Sequence, residues 1–176
     1  MELNTYKLVL KQLEYKDIEM LRMWRNSEFV KQYMEFKGHI TMAMQKNWFN
    51  SLKPDRDYYF IIYHNNYPVG MTEIKNILNG VGNLGIFIAD EEVLKTVPML
   101  SYQAIFSIID FSFYELELQS IEASILQNNP RAIRFNESFG FKPINDQDTI
   151  ENRYYCLTKE DYAVKSKKIK QIISRK

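Results

Sequence analysis

Read along the chain, the alternation of apolar and polar residues changes period several times. Tyr6, Leu8, Leu10 and Gln12, set against Val9 and Leu13, alternate with period two and predict an opening strand. Tyr15, Lys16 and Asp17 read as a turn into a helix whose apolar side carries Ile18, Leu21, Trp24 and Arg25. A second helix opens at Thr41 as N-cap, continues through Met42, Met44, Gln45, Trp48, Phe49 and Leu52, and stops at Pro54. Two β-rich runs, Tyr58 to His64 and Tyr67 to Ile77, flank Asn65 and Asn66, a dipeptide suited to a tight hairpin. Gly80 and Gly82 mark another turn before a third strand over Asn83 to Ala89. A long helix is expected from Met99 to Leu116, with Ile105, Ile108, Ile109, Ser112 and Phe113 facing inward. A buried strand follows from Ser120 to Leu126. Asn129 and Pro130 then open a helix that Gly140 closes, and Phe141 and Arg153 to Thr158 read as the last strands. The order is βααβββαβαβ, which implies an α/β fold with a mixed sheet covered by helices on both faces.

Composition changes this picture little. The chain has 176 residues, 45% of them hydrophobic and 26% charged, enough for one domain with a core of its own. The net charge of +1 gives no long-range pull towards nucleic acid or a membrane. No apolar run approaches the length of a membrane span and no export leader is recognisable, so the expected setting is cytoplasmic. Cys156 is the sole cysteine, which excludes an internal disulfide, and His39 and His64 lie apart with no cluster at metal-ligand spacing. One domain is expected over residues 1–162. Beyond it, residues 163–176 carry Lys165, Lys167, Lys168, Lys170, Arg175 and Lys176 with no acid. With Ile169, Ile172 and Ile173 they read as a basic surface helix, or as a nucleic-acid-binding tail.

Three local patterns carry chemistry. Asn129-Pro130-Arg131-Ala132-Ile133-Arg134-Phe135-Asn136-Glu137-Ser138-Phe139-Gly140-Phe141 has an Asn, an Ala-Ile pair and a Gly-Phe pair at spacings that an ordinary capped helix does not require. Leu21-Arg22-Met23-Trp24-Arg25-Asn26-Ser27 is followed by Gln45-Lys46-Asn47-Trp48-Phe49, and Pro68-Val69-Gly70 leads into Lys75-Asn76-Ile77. Together with the element order, these patterns resemble the GNAT superfamily of acetyl-CoA-dependent N-acetyltransferases from Leu8 to Thr158. The Trp-Arg-Asn block is similar to the branch of RimJ/RimL-type and amino-sugar-nucleotide enzymes.

The resemblance implies a mixed sheet splayed between two central strands. Acetyl-CoA would enter the splay, its diphosphate held by backbone N–H groups at the next helix's N-terminus. Family members usually build that loop with glycine, but here no glycine occurs between Gly85 and Gly140. The matching stretch offers Lys95, Thr96, Val97, Met99 and Leu100 beside the acids Glu91 and Glu92, with Ser101 next to it and Pro98 removing a donor. Phe87 and Ile88 would border the splay and lend a backbone N–H to the acyl carbonyl, and Asn129 stands by the cofactor. Trp24, Arg25 and Asn26 would face the acceptor. Glu73 is a candidate base, although a Glu on a solvated strand face reads equally well. The family's usual tyrosine acid is replaced by Asn136, whose amide does not serve as an acid at neutral pH, leaving water, Tyr154 or Tyr155. The implied reaction is acetyl transfer to a primary amine of a small molecule, with an amino-sugar nucleotide favoured, or of a polyamine or a protein N-terminus. The alternative is a binding or regulatory module of this fold that has lost the cofactor. Homodimers are common in the family.

Overall fold

The computed structural model describes residues 1–144 and 151–174. One mixed sheet of eight strands runs through the molecule in the order β1-β2-β3-β4-β5-β6-β8-β7. The strands are β1 (Glu2–Thr5), β2 (Leu8–Gln12), β3 (Tyr58–His64), β4 (Tyr67–Leu78), β5 (Val81–Ile88), β6 (Ser120–Leu126), β7 (Lys142–Pro143) and β8 (Asn152–Thr158). The helices are α1 (Ile18–Asn26), α2 (Glu28–Lys31), α3 (Met42–Ser51), α4 (Glu91–Thr96), α5 (Leu100–Asp110), α6 (Pro130–Phe139) and α7 (Lys159–Ser174). Every neighbouring pair of strands is antiparallel except β5 and β6.

The predicted elements recur, with differences that have local causes. The hairpin at Asn65 and Asn66 forms with φ of 50° and 66°. Thr41 caps α3 by accepting the Met44 N–H at 3.2 Å, and Gly140 ends α6 at φ 106°. The opening strand, however, starts at Leu8. Tyr6 and Lys7 adopt φ of 51° and 63° and make the turn of a hairpin with β1, which no sequence signal announced. The helix expected from Met99 to Leu116 is α5, followed by a wider π turn over Phe111–Glu115, and the short α4 precedes it. The boundary drawn at 163 falls inside α7, whose inward stripe is Tyr162, Ser166, Ile169 and Ile173; Ile172, expected on that stripe, is exposed. Arg175 and Lys176 lie outside the described residues.

Two cores result from strand alternation. On one face Leu10, Phe60, Ile62, Ile74 and Ile121 pack against α5, α6 and α7 through Ile105, Phe106, Ile109, Phe139 and Tyr162. On the other, Tyr59, Ile61 and Met71 pack with Leu21, Trp24, Trp48 and Phe49 of α1 and α3. No helix among the described residues is long and apolar enough to cross a membrane.

Candidate functional site

The one parallel contact in the sheet is short. β5 and β6 pair only at Val81↔Ser120, Gly82↔Ile121 and Asn83↔Glu122, and past this point the two strands have no ladder between them. Here the sheet opens. Ala89 donates to Val69 O at 2.8 Å, and the β4–β5 register is unbroken from Gly70↔Ile88 to Lys75↔Asn83. Alternation therefore turns the backbone groups of Gly85 and Phe87 towards β4, and those of Leu84, Ile86 and Ile88 towards the opening. Phe87 and Ile88, paired in the sequence reading, separate: Ile88 directs its N–H to the opening, whereas Phe87 contributes a ring to the α1–α3 face, edge-on to Trp24 with centroids 6.3 Å apart.

At the carboxyl end of β5 the chain turns through α4 into α5. Asp90 caps α4 by accepting the Val93 N–H at 2.9 Å, and Asn129 caps α6 by accepting the Ala132 N–H at 3.0 Å. Met99, at the N-cap of α5, supplies no side-chain acceptor. The Leu100 N–H bonds Val97 O at 3.0 Å and the Gln103 N–H bonds Met99 O at 2.9 Å, which leaves the N–H groups of Ser101 and Tyr102 without a protein acceptor among the described residues. An uncapped helix N-terminus of this kind favours an anionic group. Lys95 and Thr96 do not add to it as expected. Lys95 is held by Glu91 at 2.9 Å and Glu92 at 3.2 Å, and the Thr96 hydroxyl donates to Glu92 O at 2.8 Å. Val97 and Met99 are partly buried against the core, and Leu100 is fully buried. Donors therefore exist without glycine, and they are amides rather than side chains. Of this set, Tyr102 was missed because nothing in a Tyr reveals its own backbone N–H as free; its ring packs on Phe135 and Phe139.

The α1–α3 face beside the opening gathers polar groups. Register places Tyr59, Glu73 and Gly85 in one rank across β3, β4 and β5. Glu73 is buried at 7% exposure and pairs with Lys75 at 2.9 Å, so it does not lie on a solvated strand face. The Glu73 charge holds the Lys75 ammonium well above the usual lysine range. Burial, then Glu73, pushes the Tyr59 phenol up to about 12. Arg25 lies 5.9 Å from the Trp48 ring, and desolvation lowers its pKa despite the opposing charge of Glu73. No hydrogen-bond acceptor for its guanidinium is found among the described residues. Tyr59 was not singled out from sequence, and Lys75 and Trp48 entered only as members of longer blocks, without a role of their own. Their signal was available in the shared parity of Tyr59, Glu73 and Lys75 across the Asn65–Asn66 hairpin.

Two expected residues have other work. Asn26 binds Ile40 through both ends of its amide, donating to Ile40 O at 2.9 Å and accepting the Ile40 N–H at 2.8 Å. It ties the segment 32–40 to α1. Asn136 donates to Ala132 O at 2.9 Å, one turn back on α6. The two tyrosines of β8 part company as well. Tyr155 is buried in the core, and Tyr154, paired with Ser124 of β6, is on the opposite face. Across that face the segment after α2 reaches over: Glu35 accepts from Ser124 at 3.1 Å and from Asn152 at 3.0 Å. Trp24, Arg25, Glu73 and Lys75 thus stand on one arm of the opened sheet and Ser124 and Tyr154 on the other. No group of three metal-ligating side chains occurs among the described residues.

Comparison with known proteins identifies the family. Residues 7–142 match the acetyltransferase (GNAT) domain family. The acetyltransferase PseH of Campylobacter jejuni is 23% identical over 155 residues, covering 85% of this chain and 91% of PseH. Apo FdhC, described as a nucleotide-linked sugar GNAT, superposes with a TM-score of 0.79 over 99% of both chains at 19% identity. The spermidine N-acetyltransferase of Vibrio cholerae, solved with CoA and spermine, superposes with a TM-score of 0.75 over 89% of this chain and 98% of that one, at 20% identity. The opening between β5 and β6, the free amides of Ser101 and Tyr102 and the amide-lined edge of β5 fit acetyl-CoA, which supplies an acetyl group activated as a thioester. This chain belongs to the GNAT acetyltransferase family and is an acetyl-CoA-dependent N-acetyltransferase.

Proposed function

We propose that the chain acetylates the primary amine of a nucleotide-linked amino sugar. The observation that carries this reading is the charge on the α1–α3 arm: Arg25 and Lys75 set two cations against the single carboxylate of Glu73. Arg25 is already partly desolvated and has no acceptor among the described residues, so an anionic substrate gains more there than a polycation does. A sugar nucleotide brings a diphosphate; spermidine brings only positive charge. The likeness to PseH and to FdhC over most of the chain supports the same acceptor class. In this reading Trp24 and Trp48 flank the sugar, and Glu73 takes the proton of the acceptor ammonium. The N–H groups of Ser101 and Tyr102 hold the cofactor's diphosphate, and the Ile88 N–H polarises the acyl carbonyl. Tyr154, on the facing arm, gives a proton to the departing thiolate.

The test is calorimetric titration with acetyl-CoA, followed by an acetyl-transfer assay offering a nucleotide-linked amino sugar and spermidine in parallel. We expect acetyl-CoA binding, a higher kcat/KM with the sugar nucleotide, and a loss of roughly 10²- to 10⁴-fold in kcat for E73Q. Equal or better turnover of spermidine refutes the acceptor class. Absence of acetyl-CoA binding refutes the site.

A further inference from the structure

Gly85 has a reason to be glycine that its own backbone does not provide. Its φ lies outside the left-handed region and its register with β4 is unbroken, so any L-residue could adopt its conformation. Space is what is missing. A Cβ built on Gly85 would stand 2.3 Å from Glu73 Oε1 and 2.7 Å from Glu73 Cδ, closer than real Cβ atoms come to any neighbour. The Glu73 carboxylate therefore lies over β5, in the volume that a side chain at 85 would fill. It sits about one strand spacing (~4.8 Å) nearer the opening than the β4 backbone that carries it. At this level β5 borders the opening, because its ladder with β6 ends at Asn83↔Glu122. Lys75 Nζ holds Oε1 at 2.9 Å, and no donor among the described residues is within hydrogen-bond distance of Oε2.

We infer that Gly85 is a positioning residue for acetyl transfer: by having no side chain, it lets Glu73 reach from the second strand back and present Oε2 at the wall of the opening. This rests on Glu73 being the base. The N–H bond of the acceptor ammonium breaks, its proton passes to Oε2, and the electron pair left on nitrogen forms the bond to the acetyl carbon; the carbon–sulfur bond breaks with its pair on sulfur, the thiolate takes the Tyr154 proton, and the second proton released from nitrogen restores the phenol. Lys75 remains protonated throughout and fixes the direction in which the carboxylate points. At the end of the turnover the carboxyl group gives its proton to water.

The test is a double-mutant cycle of wild type, G85A, E73A and E73A/G85A, read by kcat, the pH dependence of kcat, acetyl-CoA affinity and thermal melting. G85A is expected to lower kcat by on the order of 10²-fold and to displace the acid limb of its pH profile, with acetyl-CoA affinity unchanged. With Ala at 73 the volume over β5 is empty, so adding G85A should change kcat by less than about twofold and leave the melting temperature where E73A sets it. An equal loss from G85A in both backgrounds, or undiminished kcat in G85A, overturns the inference. Full activity of E73Q would refute the base assignment and the positioning role with it. A wild type that prefers spermidine would refute only the acceptor proposed above, and the same cycle is then read on spermidine.

Discussion

Removing the Asp110 carboxylate should unfasten α7 and the first hairpin together. Asp110, at the end of α5, accepts the Tyr162 hydroxyl at 2.7 Å and the Tyr6 hydroxyl, and it pairs with Lys170 at 2.6 and 2.9 Å. Lys170 also lies 4.6 Å from the centre of the Tyr162 ring. Burial, reinforced by Asp110, holds both phenols well above the ordinary tyrosine range, so each stays a donor at any working pH. A hydrogen bond to a charged acceptor contributes about 1.5–3 kcal/mol. The ion pair adds at most about 1 kcal/mol, since both side chains keep roughly a quarter of their exposure. An open groove lined by Thr5, Tyr6, Lys7, Asp110 and Ile173 admits water to replace part of what is lost. The low end of the sum is therefore expected for Asp110→Ala, about 3 kcal/mol. For a chain of this length that is a fall in Tm of about 6–12 °C. Circular-dichroism melts at neutral pH measure it, with Lys170→Met as the control. Removing the lysine leaves both phenols their acceptor, so it should cost about 1 kcal/mol or less. A D110A melt within about 2 °C of wild type would refute the reasoning, and so would a K170M loss as large as that of D110A.

Two further outcomes are expected. Gln45 is fully buried in α3 and neither amide atom has a hydrogen-bond partner among the described residues, so Gln45→Met should stabilise the protein by about 1–3 kcal/mol, the cost of an unsatisfied buried polar group; a lower denaturation midpoint in urea would contradict this. Tyr59 is raised from its ordinary value near 10 to about 12, so its stabilising contribution is complete below pH 10 and is lost as pH rises through 12. Tyr59→Phe should therefore flatten the decline in stability over that window relative to wild type, and parallel curves for the two proteins would count against the assignment.

What local chemistry decides was legible in the chain. Asn65-Asn66 can take positive φ, Thr41 and Asn129 can cap, Pro130 suits a first helical turn and Gly140 a left-handed stop, and each does so in the structure. The β-rich runs on either side of Asn65-Asn66 likewise located β3 and β4, and the Asn-Pro-Arg-Ala-Ile to Gly-Phe pattern pointed to the family, as the domain match over residues 7–142 bears out. The hairpin at Tyr6 and Lys7 was hidden, because bulky residues seldom hold left-handed φ and the Asp110 that accepts the Tyr6 hydroxyl lies 104 residues away in the chain.

For the site, the sequence singled out Glu73, Trp24 and Arg25 but had no means of ranking Glu73 as buried or solvated, since that depends on which helices cover its strand. Lys95, Thr96, Asn26 and Asn136 have side chains suited to ligands, yet each is engaged by a neighbour: the first two and Asn136 by a group one turn back on their own helix, Asn26 by Ile40, which only the fold brings near. The opening at β5 and β6 arises where one parallel ladder ends, and the emptiness of Gly85 has meaning only because Glu73 fills it. Residue type and short-range pattern set caps, turns and faces. Register across the sheet decided which side chains meet, because strand pairing joins residues that the sequence alone keeps apart.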